Sequence, residues 1–153
     1  MLNFVPDPEA GLVELTRVVR PGGTIVACTW DYAVGMRMLA AFWRAAATLD
    51  PAAPDEGHQR LRTAESLTAL WHGAGLIKIE TAPLTVSARY ADFDDLWQPL
   101  TYEIGPAGAY CAGLDHERQT ALRAALFTEL ESPAGAFSLP ARAWAVRGRL
   151  PGE

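Results

Sequence analysis

The chain has 153 residues, of which half are hydrophobic and a fifth are charged, as is typical of one soluble globular domain with a sizeable core. Its formal net charge is −5 and it contains no basic run, which argues against nucleic acid or a membrane surface as a partner. No segment approaches the ~20 apolar residues of a membrane span. Cys28 and Cys111 are too few for a disulfide framework, so we expect a reduced, cytoplasmic setting.

The first predicted elements are a helix, a glycine turn and a strand. Asp7 is a typical helix cap, and apolar residues then recur at helical spacing as far as Val19. A Pro-Gly-Gly segment ends this helix. The run TIVACT, residues 24–29, is apolar and β-branched between turn signals, which predicts a buried strand with Cys28 as a small core residue.

Two further helices are predicted in the next third of the chain. Apolar residues at helical spacing indicate a helix over residues 36–49, and a proline-rich polar loop follows over residues 50–60. Thr63 then caps a third helix, which carries an apolar stripe and ends near Gly73.

Extended chain follows the third helix. Residues 76–81 and 84–90 both have the composition of strands, and Pro83 between them predicts a break or a bulge. The acidic segment that starts at Asp92 predicts the beginning of a short helix.

The last third of the chain predicts a loop, a helix and a strand. Gly105 and Pro106 indicate the loop, and apolar residues at helical spacing indicate the helix over residues 115–131. Within residues 141–149, Trp144 and Val146 alternate with Ala143, Ala145 and Arg147, as in a half-buried or edge strand. Together the elements predict an α/β fold of three or four strands with helices between them.

Three segments resemble the class I S-adenosylmethionine-dependent methyltransferases, in particular their type 11-like members. FVPDPEAGLVELTRVVRPGGTIVACTWD is similar to the middle of that family's domain, where a V-x-D segment follows the fourth strand and a helix ending RVLRPGG leads into the fifth. LTALWHGAGLIKIET matches the L-x-x-A-G-F helix end before the sixth strand, and ARAWAVRGR matches the antiparallel seventh. The resemblance implies the C-terminal part of a Rossmann-like doubly wound sheet, strand order 5-7-6, with flanking helices and a helical insert.

The resemblance also implies a single, incomplete methyltransferase-like domain over residues 1–153. The family's first four strands precede the matching segment, and they carry the glycine-rich loop and the acidic residue that hold S-adenosylmethionine. No G-x-G-x-G follows a predicted strand in this sequence. We therefore expect S-adenosylmethionine-dependent methyl transfer to a small or medium-sized molecule, with most of the cofactor site absent from these residues and the isolated chain inactive.

Five candidate site residues follow from the resemblance, because ligands of a doubly wound sheet bind beyond the carboxyl ends of its strands. Asn3 and Phe4 come after the family's fourth strand and are predicted to bind the cofactor. After the fifth strand, Asp31 is predicted to be catalytic, as a base or an orienting group, and Trp30 and Tyr32 to bind the substrate. The alternative is that Trp30 is a core residue, Asp31 caps the next helix and Asn3 is only a loop residue.

The insert between the sixth and seventh strands supplies two more candidates. By the resemblance, residues 91–131 form a helical lid over the methyl acceptor, and its aromatic residues include Trp97 and Tyr102, which are predicted to bind the substrate. Aromatic residues in such a lid would favour a largely apolar acceptor. The alternative is that they pack the insert onto the sheet.

The remaining expectations concern metals and assembly. The three histidines have no ligand spacing, so no metal site is predicted. Without a fourth strand, residues 24–29 would leave an apolar strand edge exposed, which predicts a homodimer through that edge or a poorly soluble chain. The hypothesis that competes with the enzyme is therefore a non-catalytic remnant or interaction module that dimerises through this strand.

Overall fold

The computed structural model of the chain describes residues 5–32, 34–56 and 61–152. In these ranges the helices are α1 (Pro8–Val18), α2 (Arg37–Leu49), α3 (Ala64–Gly73), α4 (Phe93–Trp97), α5 (Gly105–Ala112) and α6 (His116–Glu129). A 3₁₀ turn spans Gln98–Thr101, and the strands are β1 (Thr24–Trp30), β2 (Ile77–Tyr90) and β3 (Phe137–Arg149). The predicted mixture of helices and strands is confirmed.

The three strands form one sheet in the order β1-β3-β2. The last strand of the chain therefore lies between the other two, and it runs antiparallel to both. Its register with β1 pairs Thr24 with Arg149 and Trp30 with Ala143. In the described sheet β1 and β2 are the two edge strands, and the predicted central position of the last strand is confirmed.

β1 buries only one of its two faces, so the prediction of a fully buried strand is wrong. Ile25 and Thr29 are buried, whereas Val26 is 66% exposed and Trp30 is 42% exposed. Cys28 lies on the exposed face and is not the core residue that the sequence predicted. Such alternation is typical of a strand whose sheet is covered by helices on one face and solvated on the other.

β2 is one continuous strand in place of the two predicted extended segments, 76–81 and 84–90. Pro83 lies inside it and does not break it. A proline is tolerated there because β2 is an edge strand, on which a missing N–H need not remove a ladder hydrogen bond. The backbone irregularity of this strand is instead at Lys78, whose φ is 50°.

α5 occupies the segment that the sequence predicted to be a loop. Gly105, at its start, has a φ of 68°, a conformation that favours glycine. Pro106 lies in the first turn, where its missing N–H has no helical partner to lose. The other helices begin and end within about two residues of the predictions, which is the usual uncertainty of helix ends. Among the described residues, no helix combines the length and the apolar character needed to cross a membrane.

The chain divides into two compact units. The first contains the described residues within 1–35, 58–85 and 142–153, and therefore β1, α1 and α3. The second contains those within 36–57 and 86–141, and therefore α2 and α4 to α6. The long strands β2 and β3 contribute residues to both units.

In the first unit, α1 and α3 pack on the face of the sheet that carries Ile25. The buried apolar residues of this core are Leu12, Ile25, Leu61, Leu67, Leu70, Trp71, Leu76 and Val146. Both helices have the predicted caps. Asp7 accepts a hydrogen bond from the amide of Ala10 at 2.9 Å, and Thr63 forms a reciprocal capping box with Ser66.

In the second unit, α2 and the helical segment after β2 share a separate core. Its buried residues are Ala41, Phe42, Trp43, Ala45, Ala46, Phe93, Leu96, Trp97, Leu100, Ala107, Cys111, Leu122 and Leu126. The predicted insert, residues 91–131, belongs wholly to this unit. Its helices therefore pack against α2 through their apolar faces.

Candidate functional site

The candidate site is the turn that follows β1, residues 31–35, of which residue 33 lies outside the described ranges. We call it the β1 turn. The amide of Tyr32 donates to the carbonyl of Trp30 at 3.0 Å, and the amide of Gly35 donates to the carbonyl of Asp31 at 2.9 Å. These short-range hydrogen bonds fold the chain back tightly at the carboxyl end of the strand.

One residue of β3, Arg142, holds the β1 turn by its backbone. The amide of Asp31 donates to the carbonyl of Arg142 at 2.9 Å, and the amide of Arg142 donates to the carbonyl of Gly35 at 3.1 Å. Gly35 permits this approach because a Cβ there would lie 2.7 Å from the Cβ of Asp31 and 2.8 Å from that of Arg142. The turn can therefore close over the strand only with a glycine at this position.

The carboxylate of Asp31 is bound through both of its oxygens. Its Oδ1 accepts a hydrogen bond from the amide of Val34 at 3.1 Å. Its Oδ2 accepts one from Nε of Arg142 at 2.6 Å and is also paired with Nη2 of the same guanidinium. Because Asp31 is only 1% exposed, these charge-assisted hydrogen bonds replace the water that its burial removes.

The surroundings of Asp31 keep it ionised. Burial raises the pKa of this carboxyl, but the hydrogen bonds from Val34 and Arg142 and the positive charge of Arg142 outweigh burial, so the pKa lies below its ordinary value of 3.8. Such a carboxylate is a weak proton acceptor at neutral pH. Of the two predicted roles for Asp31, the geometry therefore favours the orienting group over the base.

The cap role that was the alternative for Asp31 also needs correction. Asp31 caps its own turn, through the bond from Val34, and does not cap α2. The N-cap of α2 is Met36, which makes no side-chain capping hydrogen bond. The Asp31 side chain therefore fixes the turn, and the helix starts separately.

Sequence reasoning missed Arg142, although it lies in a segment quoted for the resemblance. Its guanidinium carbon is 5.1 Å from the ring centre of Trp144, and its side chain is 33% exposed. The local signal was weak, since an arginine two residues from a tryptophan is ordinary in a half-buried strand. Its ion-pair partner, Asp31, is 111 residues away in the chain.

The other predicted site residues are placed differently. Trp30 is on the exposed face of β1, so the alternative that it is a core residue is wrong, whereas Tyr32 is buried. Trp97 is buried in the core of the second unit, and Tyr102, also in that unit, is exposed. Asn3 and Phe4 lie outside the described residues. The binding roles of all six stay predictions.

A second buried acid, Glu56, also went unnoticed in the sequence, because it lies in a polar loop without any motif. Its Oε2 accepts a hydrogen bond from the indole Nε1 of Trp43 at 3.0 Å. Burial raises the pKa of Glu56; the bond from Trp43 lowers it, Asp55 raises it again, and the net shift is upward. The ring of Trp43 lies 5.0 Å from Phe42 and 5.5 Å from Tyr110, centre to centre, so the pair belongs to an aromatic core cluster.

The first unit also has two surface grooves beside α3, and neither is lined by residues of the β1 turn. One, of about 400 Å³, is lined by Glu9, Val13, Leu61, Ser66, Ala69, Leu70, Gly73 and Ala74. The other, of about 570 Å³, is lined by Ala64, Glu65, Thr68, Ala69, His72, Gly73 and Thr81. Within the described parts of the chain, no cluster of three or more His, Cys, Asp or Glu side chains could hold a metal ion.

No protein-family model and no curated protein matches the chain. The methyltransferase resemblance therefore depends on the three quoted segments, and the sheet and the β1 turn are the structural features that bear on it.

Proposed function

We propose that this chain takes part in S-adenosylmethionine-dependent methyl transfer to a small or medium-sized molecule. The observation that carries the proposal is the strand order β1-β3-β2 with an antiparallel last strand in the middle. This is the arrangement that the resemblance implies for the family's fifth, seventh and sixth strands. Because one fold hosts many activities, the proposal also needs support from the site.

The β1 turn supports the proposal by its position and its rigidity. It follows the strand that corresponds to the family's fifth, at the edge of the sheet where doubly wound folds bind ligands. Methyl transfer depends mainly on holding the nucleophile about 3–3.5 Å from the methyl carbon in a shaped site. A turn fixed by Asp31 and Arg142 suits that task, with Trp30 and Tyr32 proposed to border the acceptor.

The described residues fit S-adenosylmethionine only in part. The sequence has no glycine-rich loop after a strand, and Asp31, the acid nearest the end of β1, is already bound by Val34 and Arg142. No acid is therefore left at this turn to bind the ribose hydroxyls. We accordingly propose Asn3 and Phe4 as cofactor contacts of a weak site and derive no reaction step through the cofactor.

A calorimetric titration of the purified chain with S-adenosylmethionine tests the proposal. We expect weak but saturable binding, with a Kd of about 1 mM, because part of the usual binding surface is missing. Heats no larger than those of dilution, from protein whose spectrum shows that it is folded, would contradict the proposal. S-Adenosylhomocysteine serves as the second ligand, since it differs only in lacking the transferable methyl group and the positive charge on sulfur.

One observation favours a second candidate function, an interaction module that pairs with a second copy of the chain. β1 lies at the edge of the described sheet, contains neither a charged residue nor a proline, and exposes Val26. Edge strands without such protection tend to pair with other strands. Pairing of two β1 strands about a two-fold axis would join two sheets into one.

The second candidate is tested by light scattering on two matched variants. Val26→Lys places a charge on β1, and Val86→Lys places one at an exposed position of β2, the other edge strand. We expect the wild type and Val86→Lys to be dimers and Val26→Lys to be a monomer, because a lysine on an edge strand opposes pairing. A monomeric wild type, or equal effects of the two variants, would count against pairing through β1.

A further inference from the structure

We infer that Arg142, the residue of β3 that holds the β1 turn, is an anion-recognition residue and that the methyl acceptor carries a carboxylate. That the bound carboxylate belongs to the methyl acceptor rests on the proposed function. That Arg142 binds a carboxylate rests on the geometry of its guanidinium alone.

The guanidinium of Arg142 uses only one of its two hydrogen-bonding edges. The edge formed by Nε and Nη2 binds Oδ2 of Asp31. The other edge, formed by Nη1 and the second N–H of Nη2, makes no hydrogen bond with any residue that the structure describes. Two parallel N–H groups of this kind match the two oxygens of a carboxylate, which is the bidentate pairing that distinguishes arginine from lysine.

The unused edge is held in place before any ligand binds. Asp31, which fixes the guanidinium on one side, is itself fixed by the amide of Val34. The ring of Trp144 lies 5.1 Å from the guanidinium carbon and supports its face. A ligand would therefore find ordered donors and would not bear the entropic cost of ordering a mobile arginine.

The two charges of the ion pair differ in their access to solvent. The side chain of Asp31 is 2% exposed, whereas that of Arg142 is 33% exposed, so an approaching anion meets the guanidinium and not the carboxylate. Trp30, the last residue of β1, and Val34, in the β1 turn, have exposed side chains without charge. Such side chains suit the organic part of a carboxylic acid that the guanidinium would bind. An organic carboxylate is therefore the ligand class that the site fits.

The test is an NMR titration of the 153-residue chain with benzoate, and with benzamide as the uncharged analogue. We expect benzoate to shift the Nε–H signal of Arg142 and the indole signal of Trp144 in a saturable manner, and benzamide to leave both unchanged. Arg142→Lys keeps the positive charge beside Asp31 but lacks the second edge, so benzoate should bind at least about tenfold more weakly. Arg147→Lys is the matched control, because Arg147 lies on the same strand and pairs with Glu80 at the surface; its benzoate affinity should equal that of the wild type.

Equal shifts from benzoate and benzamide, or unchanged benzoate affinity in Arg142→Lys, would overturn the inference. S-Adenosylmethionine carries a carboxylate of its own, so it is added to the benzoate complex alongside its decarboxylated form. Displacement of benzoate by the intact cofactor alone would overturn the assignment to the acceptor, and no displacement by either supports it. Titration of the chain with S-adenosylmethionine in the absence of benzoate tests the proposed function separately, because it fails there if no cofactor binds.

Discussion

The Asp31–Arg142 pair differs from the other ion pairs found among the described residues of the first unit, because its acid is almost completely buried. Arg147 and Glu80 form a comparable pair whose two side chains are both exposed. Breaking a buried pair costs about 3–5 kcal/mol because it leaves one charge without compensation, whereas an exposed pair contributes about 0–1 kcal/mol. Since Arg142 is partly solvated, the cost of losing its partner lies toward the lower end of the first range.

We predict that Asp31→Asn lowers the free energy of unfolding by about 3 kcal/mol, because Arg142 loses its charged partner and the turn loses an acceptor. Glu80→Gln, the exposed counterpart, should lower it by less than about 1 kcal/mol. Urea unfolding of both variants and the wild type at neutral pH provides the measurement. If the two substitutions lowered the free energy of unfolding equally, the buried pair would contribute no more to stability than the exposed pair.

The same pair predicts a pH dependence of stability. The pKa of Asp31 is lower in the folded chain than in the unfolded chain, so the folded state favours the ionised carboxylate. The stabilisation is therefore complete above the unfolded pKa, about 3.9, and is lost as the pH falls through the folded pKa. The difference in unfolding free energy between the wild type and Asp31→Asn should be full above about pH 5 and should narrow as the pH falls from there to about pH 3. If the difference in unfolding free energy were the same at about pH 3 as at about pH 6, the pKa of Asp31 would not be lowered in the folded chain.

The β1 turn depends on Gly35 as much as on the ion pair. A Cβ at this position would lie under 3 Å from atoms of both Asp31 and Arg142, whereas a Cβ at Gly73, the last residue of α3, would meet no atom within 4 Å. Of these two glycines of the first unit, Gly35 leaves no room for a side chain, whereas Gly73 does.

We predict that Gly35→Ala destabilises the fold by about 1–3 kcal/mol, because the added methyl group forces the turn away from β3. Gly73→Ala should be neutral or should stabilise by up to about 1 kcal/mol, since alanine favours a helix more than glycine does. Thermal unfolding of the two variants measures both effects. A Gly35→Ala protein as stable as the wild type would show that the turn does not close as described.

The starts of α1, α3 and α6 could be predicted because their cause is local. Asp7, Thr63 and Asp115 each accept a hydrogen bond from an amide three residues later, and a residue type at one position is enough to indicate this. Pro83 and Gly105 misled the prediction, because their effect depends on their setting. A proline breaks a central strand but not an edge strand, and a glycine-proline pair can begin a helix as well as a loop.

The candidate site was only half predictable for a related reason. Asp31 could be named because it follows a recognisable strand, but its partner Arg142 is 111 residues away and no local pattern joins them. The exposure of Trp30 was equally out of reach, because it depends on which face of the sheet α1 and α3 cover. Long-range pairing and the distribution of helices between faces are properties of the folded chain.

The two proposed functions make separate demands on one strand of the molecule. The proposed methyl transfer would use the carboxyl end of β1, through Asp31 and Arg142, whereas the proposed self-association would use the edge of that strand. Val26→Lys should therefore abolish a dimer and leave benzoate binding at Arg142 unchanged, because the substitution alters the strand and not the turn. Loss of both properties together would show that the turn is formed only within a dimer.

The most direct test of the β1 turn as the functional site is to map the contacts of S-adenosylmethionine on the chain by NMR. We predict that the largest saturable shifts fall on Asn3 and Phe4, the proposed cofactor contacts, and that smaller saturable shifts reach Trp30 and Tyr32, at the carboxyl end of β1. Shifts confined to the grooves beside α3, or no shifts while the protein remains folded, would contradict the assignment of function to this turn.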